Sequence, residues 1–167
     1  MTKIQHPLTS IRAIAFDIDG VLSPSTVPCN EDGMPARMAN VKDGYAIQLA
    51  VKKGLTIAII SGAIAPNMIK RFELLGVKDI FMDVKDKEEV WNQWLQENGL
   101  NAEEVAYVGD DVPDLEVLKL AGLPVTPSDA CVDAKAIAKY ITVAAGGHGV
   151  ARELIEQILK AQSLWPA

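Results

Sequence analysis

Cysteine is scarce. Cys29 and Cys131 are the only two in 167 residues. No C-x-x-C spacing joins them, which leaves no zinc or redox motif and fits a reducing compartment. Both read as small structural or surface residues. Aromatic residues make up 5% of the chain, too few for base-stacking platforms. An excess of positive charge is also missing. The net charge is -6, which argues against a nucleic-acid partner, because that needs clustered Lys and Arg. A small anionic substrate stays possible, since one local cation can dominate its own site. No apolar run approaches the roughly 20 residues needed to span a bilayer, so no membrane partner is expected. Met1 to Ser10 is polar and holds no signal-peptide core. The expected location is the cytoplasm.

What is present fits a globular protein. Hydrophobic residues reach 49% and charged residues 23%, and the length is that of one domain, 1–167. Ile11 to Phe16, Leu55 to Ile60, Asp79 to Met82, Val105 to Val108, Leu123 to Thr126 and Tyr140 to Val143 read as short buried strands. Helical patterns alternate with them. One is capped by Asp43 and closed by Gly54, and the next runs from near Pro66 to Gly76. Others cover Lys87 to Asn98, Pro113 to Ala121, Ala130 to Ala138 and Val150 to Gln162. Trp91 and Trp94 fall on one helical face and read as core. The alternation predicts an α/β fold of Rossmann-like, three-layer form, a parallel sheet with helices on both faces. Between Leu22 and Asn40 the chain turns to Pro, Ser and small residues. Asn30-Glu31-Asp32-Gly33 is a turn signal, which predicts a β-hairpin flap after the first strand, its prolines suited to edges.

The chemistry gathers at strand ends. Asp17 and Asp19 follow the first strand two residues apart and so start on one side. Two acids there repel unless a cation or a proton sits nearby. Ser61-Gly62 ends the second strand and Asp110-Asp111 the fourth. Carboxyl ends of parallel strands share one edge, so these residues meet and predict a magnesium-assisted phosphoryl site.

Phe16-Asp17-Ile18-Asp19-Gly20-Val21-Leu22, Ile60-Ser61-Gly62, Lys87 and Val108-Gly109-Asp110-Asp111-Val112-Pro113-Asp114 resemble, in order, the four motifs of the haloacid dehalogenase superfamily of phosphatases. Asn40-Val41-Lys42-Asp43-Gly44 and Ala145 to Glu153 are similar to its 3-deoxy-D-manno-octulosonate 8-phosphate (KDO 8-phosphate) phosphatases, a capless, hairpin-bearing and tetrameric subgroup. The resemblance implies Asp17 as nucleophile and Asp19 as proton donor and then acceptor. It implies Mg²⁺ held by Asp17, the Asp19 carbonyl and Asp110. Ser61, the Gly62 amide and Lys87 would bind the phosphoryl group. Asp111 would stand near the metal, and Asp114 would orient Lys87 or cap the local helix. Arg37, Asn40 and Lys42 at the hairpin base are expected to reach a sugar or its carboxylate. The amides of Gly146 to Gly149 are open to two readings, an anion contact or a tight turn.

The implied reaction is hydrolysis of a sugar-acid phosphate, with KDO 8-phosphate first and a nine-carbon KDN or sialic acid 9-phosphate second. The implied assembly is a homotetramer. Two departures bear on the sugar: Ser23-Pro24-Ser25-Thr26 replaces the subgroup's Asp-Gly, and Ala63 stands where arginine commonly follows the second motif. Readings of another class are a phosphoacceptor signalling module, whose acceptor would lie where this chain has Ser61, and a catalytically idle assembly partner.

Overall fold

The computed structural model describes residues 3–166; Met1 and Thr2 of the polar N-terminal stretch, and Ala167, lie outside the described residues. Six strands, β1 (Ala13–Phe16), β2 (Thr56–Ile60), β3 (Asp79–Phe81), β4 (Val105–Val108), β5 (Leu123–Thr126) and β6 (Tyr140–Ile141), form one sheet in the order β3-β2-β1-β4-β5-β6. Every pairing is parallel. Helices α1 (Val41–Lys52), α2 (Pro66–Leu74), α3 (Lys87–Asn98), α4 (Leu115–Leu120), α5 (Val132–Ile137) and α6 (Val150–Ala161) connect and cover it. The chain runs outward from β1 to β3, then crosses back to start β4 on the other side of β1. The crevice beyond the end of β1 is therefore the switch point where such sheets bind ligands.

Alternation along β1 decides what faces what. Ile14 and Phe16 pack into one core with Ala46 of α1, Phe72 of α2 and Leu154 of α6. Ala13 and Ala15 pack into the other with Trp91 and Trp94 of α3 and Tyr107 of β4. Trp91 meets the Tyr107 ring edge-on, with centroids 5.8 Å apart. Asp17 follows in phase with Ala13 and Ala15, which turns it toward α3. Phe16 is in register with both Ile59 and Val108, so the residues that follow β1, β2 and β4 emerge side by side.

Several boundaries differ from the sequence expectation. Asn40, not Asp43, caps α1: its Oδ1 accepts the N–H groups of Lys42 and Asp43 at 2.9 and 3.0 Å. Asn40 has the extended backbone an N-cap requires, whereas Asp43 lies inside the first turn and faces α6. The expected hairpin is reduced to one antiparallel bridge, Cys29 to Pro35. Asn30 N–H donates to the Met34 carbonyl and Ala36 N–H to the Pro28 carbonyl, each at 2.7 Å, but Pro28 has no N–H to return the bond to Ala36 and extend the ladder. The Pro113 to Ala121 helix begins as a 3-10 turn, Val112–Asp114. Among the described residues, no helix is long and apolar enough to cross a membrane.

Asp43 is the unusual buried group. Its Oδ1 accepts the Arg152 N–H at 2.8 Å, but Oδ2 has no partner. Burial raises its pKa to about 6, against the amides of Arg152 and Ala151 and the Arg152 charge. The folded state then holds this proton more tightly than the unfolded chain, so the Asp43 contribution to stability falls as pH rises from about 4 to about 6 and stays low above that. Asp43→Asn is expected to match the wild type in acid and to exceed it at neutral pH by about 1–3 kcal/mol. Urea unfolding at the two pH values checks this, and a variant that loses stability at neutral pH contradicts it.

Candidate active site

Asp17 lies at the floor of a cleft of about 620 Å³. Its backbone N–H still donates to the Val108 carbonyl at 3.0 Å, so β4 fixes where its side chain begins. Oδ1 accepts the Ile18 N–H at 2.7 Å, and Oδ2 meets Lys87 Nζ at 2.9 Å. Lys87 is the first residue of α3, whose N-cap is Asp86. The helix start aims the lysine back across the sheet end, and the side chain is only 7% exposed.

The same ammonium reaches Asp114 Oδ1 at 2.7 Å. Asp114 is fully buried, and its other contacts explain why. Oδ1 also accepts the Tyr107 hydroxyl at 2.6 Å, and Oδ2 accepts the N–H groups of Asp110 and Asp111 at 2.9 and 3.3 Å. It therefore braces both Lys87 and the turn that follows β4. Gly109 permits this, because a Cβ there would stand 2.5 Å from Asp114 Cβ and Cγ.

Oxygens of Asp17, Asp110 and Asp114 all lie within 4.8 Å of one another. Those of Asp114 are occupied by four protein donors, which leaves Asp17 and Asp110 as the carboxylates with room for a cation. The electrostatics agree. Asp110 is raised to about 8 by burial and then by the charges of Asp114, Asp17 and Asp111, with Lys87 opposing. Asp17 is raised to about 7 by burial and by Asp114, against Lys87 and the Ile18 amide. One ammonium does not balance this many acids, and a divalent cation between Asp17 and Asp110 would. Lys87 itself is pushed upward: burial acts against its charge, and its two carboxylate partners outweigh that. Gly20 makes the cation position accessible: it takes φ +76°, and a Cβ there would collide with the Asp110 carboxylate.

The remaining expected residues divide. Ser61 is buried at the end of β2, its Oγ accepting the Ala63 N–H at 3.1 Å, and with Gly62 it lines the cleft. Asp111 lies on the rim. Asp19 is half-exposed, and both its oxygens are held by Arg37, Nε to Oδ1 at 2.8 Å and Nη2 to Oδ2 at 3.0 Å. Arg37 thus reaches the cleft, but its fork is filled by Asp19. Asn40 and Lys42 do not line the cleft. The Asn40 oxygen caps α1 and its Nδ2 donates to the Gly147 carbonyl at 3.3 Å, while Lys42 is exposed on the first turn of α1. Of the two readings of Gly146 to Gly149, the turn is the one observed. Gly146 N–H donates to Asp129 and Gly147 N–H to the Val21 carbonyl, each at 2.8 Å, and the loop packs against Gly20.

Tyr107 and Lys85 are not among the residues expected from sequence. Tyr107 has a readable signal, a polar tip on a fully buried strand that must find a partner. Lys85 lies on the cleft rim, paired with the exposed Asp83.

Comparison with known proteins places this geometry. The sequence profile of the haloacid dehalogenase-like hydrolases matches residues 76–154. The Salmonella typhi 3-deoxy-D-manno-octulosonate 8-phosphate phosphatase KdsC is 34% identical over 161 residues, 96% of this chain and 86% of that protein. The Moraxella catarrhalis enzyme of the same name, solved with a magnesium ion, a phosphate ion and KDO, is 32% identical with a TM-score of 0.89, covering 94% of this chain and 90% of that one. A probable YrbI family phosphatase from Pseudomonas syringae is 38% identical with a TM-score of 0.90, over 95% and 90% of the two chains.

Proposed function

Because this chain belongs to the KDO 8-phosphate phosphatase family of haloacid dehalogenase-like hydrolases, we propose that it hydrolyses a sugar-acid phosphate monoester, most directly 3-deoxy-D-manno-octulosonate 8-phosphate, to the free sugar acid and phosphate. A buried Asp17 paired with Lys87 beside a second acid, Asp110, carries this reading. Asp17 attacks phosphorus and forms an aspartyl-phosphate, dividing one difficult displacement into two. Asp19 gives a proton to the departing sugar oxygen and later takes one from the attacking water. Ser61, the Gly62 amide and Lys87 bind the phosphoryl oxygens, and Asp114 and Tyr107 keep Lys87 in place. Mg²⁺ would be held by Asp17, Asp110 and the Asp19 carbonyl, where it supplies charge that offsets the repulsion between nucleophile and phosphate. Asp111 stands beside this set on the cleft rim.

The cleft is open, so exclusion of water falls to the flap and to neighbouring copies in a homotetramer. Cytoplasmic residence follows from a phosphorylated, membrane-impermeant substrate.

Purified protein tested on a panel of phosphate esters checks the reading. Release of phosphate from the eight-carbon acid, dependent on Mg²⁺ and lost with EDTA, is expected. Turnover of the nine-carbon ester alone would move the substrate to the sialic acid type, and a long-lived phosphoprotein without turnover would favour a signalling module. Metal binding should also release protons. Burial and the neighbouring acids raise Asp110 to about 8 and Asp17 to about 7, so apparent Mg²⁺ affinity is expected to rise with pH up to about 8 and then level off. Calorimetry in two buffers of different ionisation enthalpy measures the protons. Pairing with no proton release at neutral pH contradicts this charge balance.

A further inference from the structure

Arg37 belongs to the flap, eighteen residues beyond the acid it holds, and its side chain is only 8% exposed while that of Asp19 is 49% exposed. An arginine on a mobile lid would leave its guanidinium in water. This one is fixed from both sides. Ala36 N–H donates to the Pro28 carbonyl at 2.7 Å, and Met38 N–H donates to Ser23 Oγ at 2.9 Å. Ser23 is fully buried, and its carbonyl accepts the Gly20 N–H at 2.9 Å. One residue therefore ties the turn that carries Asp19 to the segment that carries Arg37.

The other cations of the cleft are differently placed. Lys87 is occupied by Asp17 and Asp114, and Lys85 is 81% exposed with an exposed partner. Arg37 is the one whose planar fork closes on both oxygens of a carboxylate, a contact that sets direction as well as distance. An unclamped, half-exposed aspartate samples several rotamers, and a displacement of about 1 Å at a proton donor lowers rate about a hundredfold.

We propose that Arg37 is the positioning residue for Asp19: in the proton-donating form one Asp19 oxygen leaves the fork to carry the proton, while the other stays hydrogen-bonded to Arg37 and holds the carboxyl turned toward the leaving oxygen, so that the flap acts through the proton donor rather than by binding the sugar. This rests on the reading of Asp19 as proton donor. It makes a prediction that depends on the leaving group. A sugar alkoxide must be protonated as it departs, whereas p-nitrophenolate leaves without a proton, so misplacing Asp19 harms the first reaction more.

The test compares kcat/KM for a sugar-acid phosphate and for p-nitrophenyl phosphate in the wild type, Arg37→Ala, Arg37→Lys and Asp19→Ala, each with Mg²⁺. Arg37→Ala is expected to lose about 10- to 100-fold on the sugar phosphate, and at least about tenfold less on the aryl ester. Arg37→Lys keeps the charge but not the fork, and is expected to show the same selectivity with a smaller loss. Asp19→Ala separates the two claims. If it lacks the leaving-group selectivity, the proton-donor reading fails. If it has the selectivity while Arg37→Ala slows both substrates equally or neither, the role given to Arg37 is overturned. The aryl-ester activity also reports folding, since a variant that merely fails to fold loses both.

Discussion

Asp17→Asn is expected to lower kcat by at least about 10⁴-fold and to leave the fold intact. An amide has the shape of the carboxylate but no electron pair fit to attack phosphorus. Its oxygen would still accept the Ile18 N–H that Asp17 accepts at 2.7 Å. Lys87 would lose one partner but keep Asp114 at 2.7 Å, so no cation is left buried alone. The substitution also removes one negative charge from a cluster whose members raise one another. The new Nδ2 cannot accept from Lys87 across the 2.9 Å that Asp17 Oδ2 spans, which offsets part of that relief, so stability should stay near that of the wild type while turnover vanishes. Phosphate release and thermal unfolding, measured on the same preparation, check both halves. An Asp17→Asn enzyme with wild-type turnover would remove Asp17 as nucleophile, and an unfolded one would show that the carboxylate is structural.

Lys87→Met makes the opposite trade and should fail on both counts. It leaves Asp17 and Asp114 facing each other in a buried site without the cation they share. Removing one member of a buried ion pair costs about 3–5 kcal/mol. Loss of a preorganised charge aimed at the phosphoryl oxygens lowers kcat by a further factor of about 10²–10³. The two effects are separable. Adding Asp114→Asn removes the stranded charge, so the double variant should recover much of the stability, as coupled neighbours do. It should not recover the rate, because the charge near phosphorus is still missing. Urea midpoints and steady-state kinetics distinguish these outcomes. If the double variant is no more stable than Lys87→Met alone, then Asp114 is held by its amide and Tyr107 contacts and not by its pairing with Lys87.

Much of this architecture is readable from pattern. Val105 to Val108 and Leu123 to Thr126 are short apolar runs bounded by turn residues, and they are strands at those limits. Lys87 to Asn98 ends at Gly99, which takes φ +60°, the left-handed backbone that glycine accepts. Strand-end acids are legible because a parallel sheet brings its carboxyl ends together whatever their separation in sequence.

Side-chain directions in the connecting segments are not legible, because no periodicity governs them. In the sequence, Arg37 and Asn40 look like free polar groups at the hairpin base. The structure instead turns one onto Asp19 and makes the other the cap of α1. Asp43 looks like that cap and is a buried acid against α6. The flap looks like a hairpin from its turn residues, but Pro28, which suits an edge, also stops the ladder after one bridge. The Tyr107–Asp114–Lys87 chain joins three elements and exists only once the sheet has formed.

Covalent chemistry at Asp17 is the centre of this account. The direct measurement is mass spectrometry of the enzyme quenched in acid during turnover of a sugar-acid phosphate with Mg²⁺, followed by mapping of the modified peptide. One phosphoryl group on Asp17, present during turnover and absent from Asp17→Asn, is the predicted result. A phosphoryl group on another residue, or steady turnover with none on the protein, would contradict it.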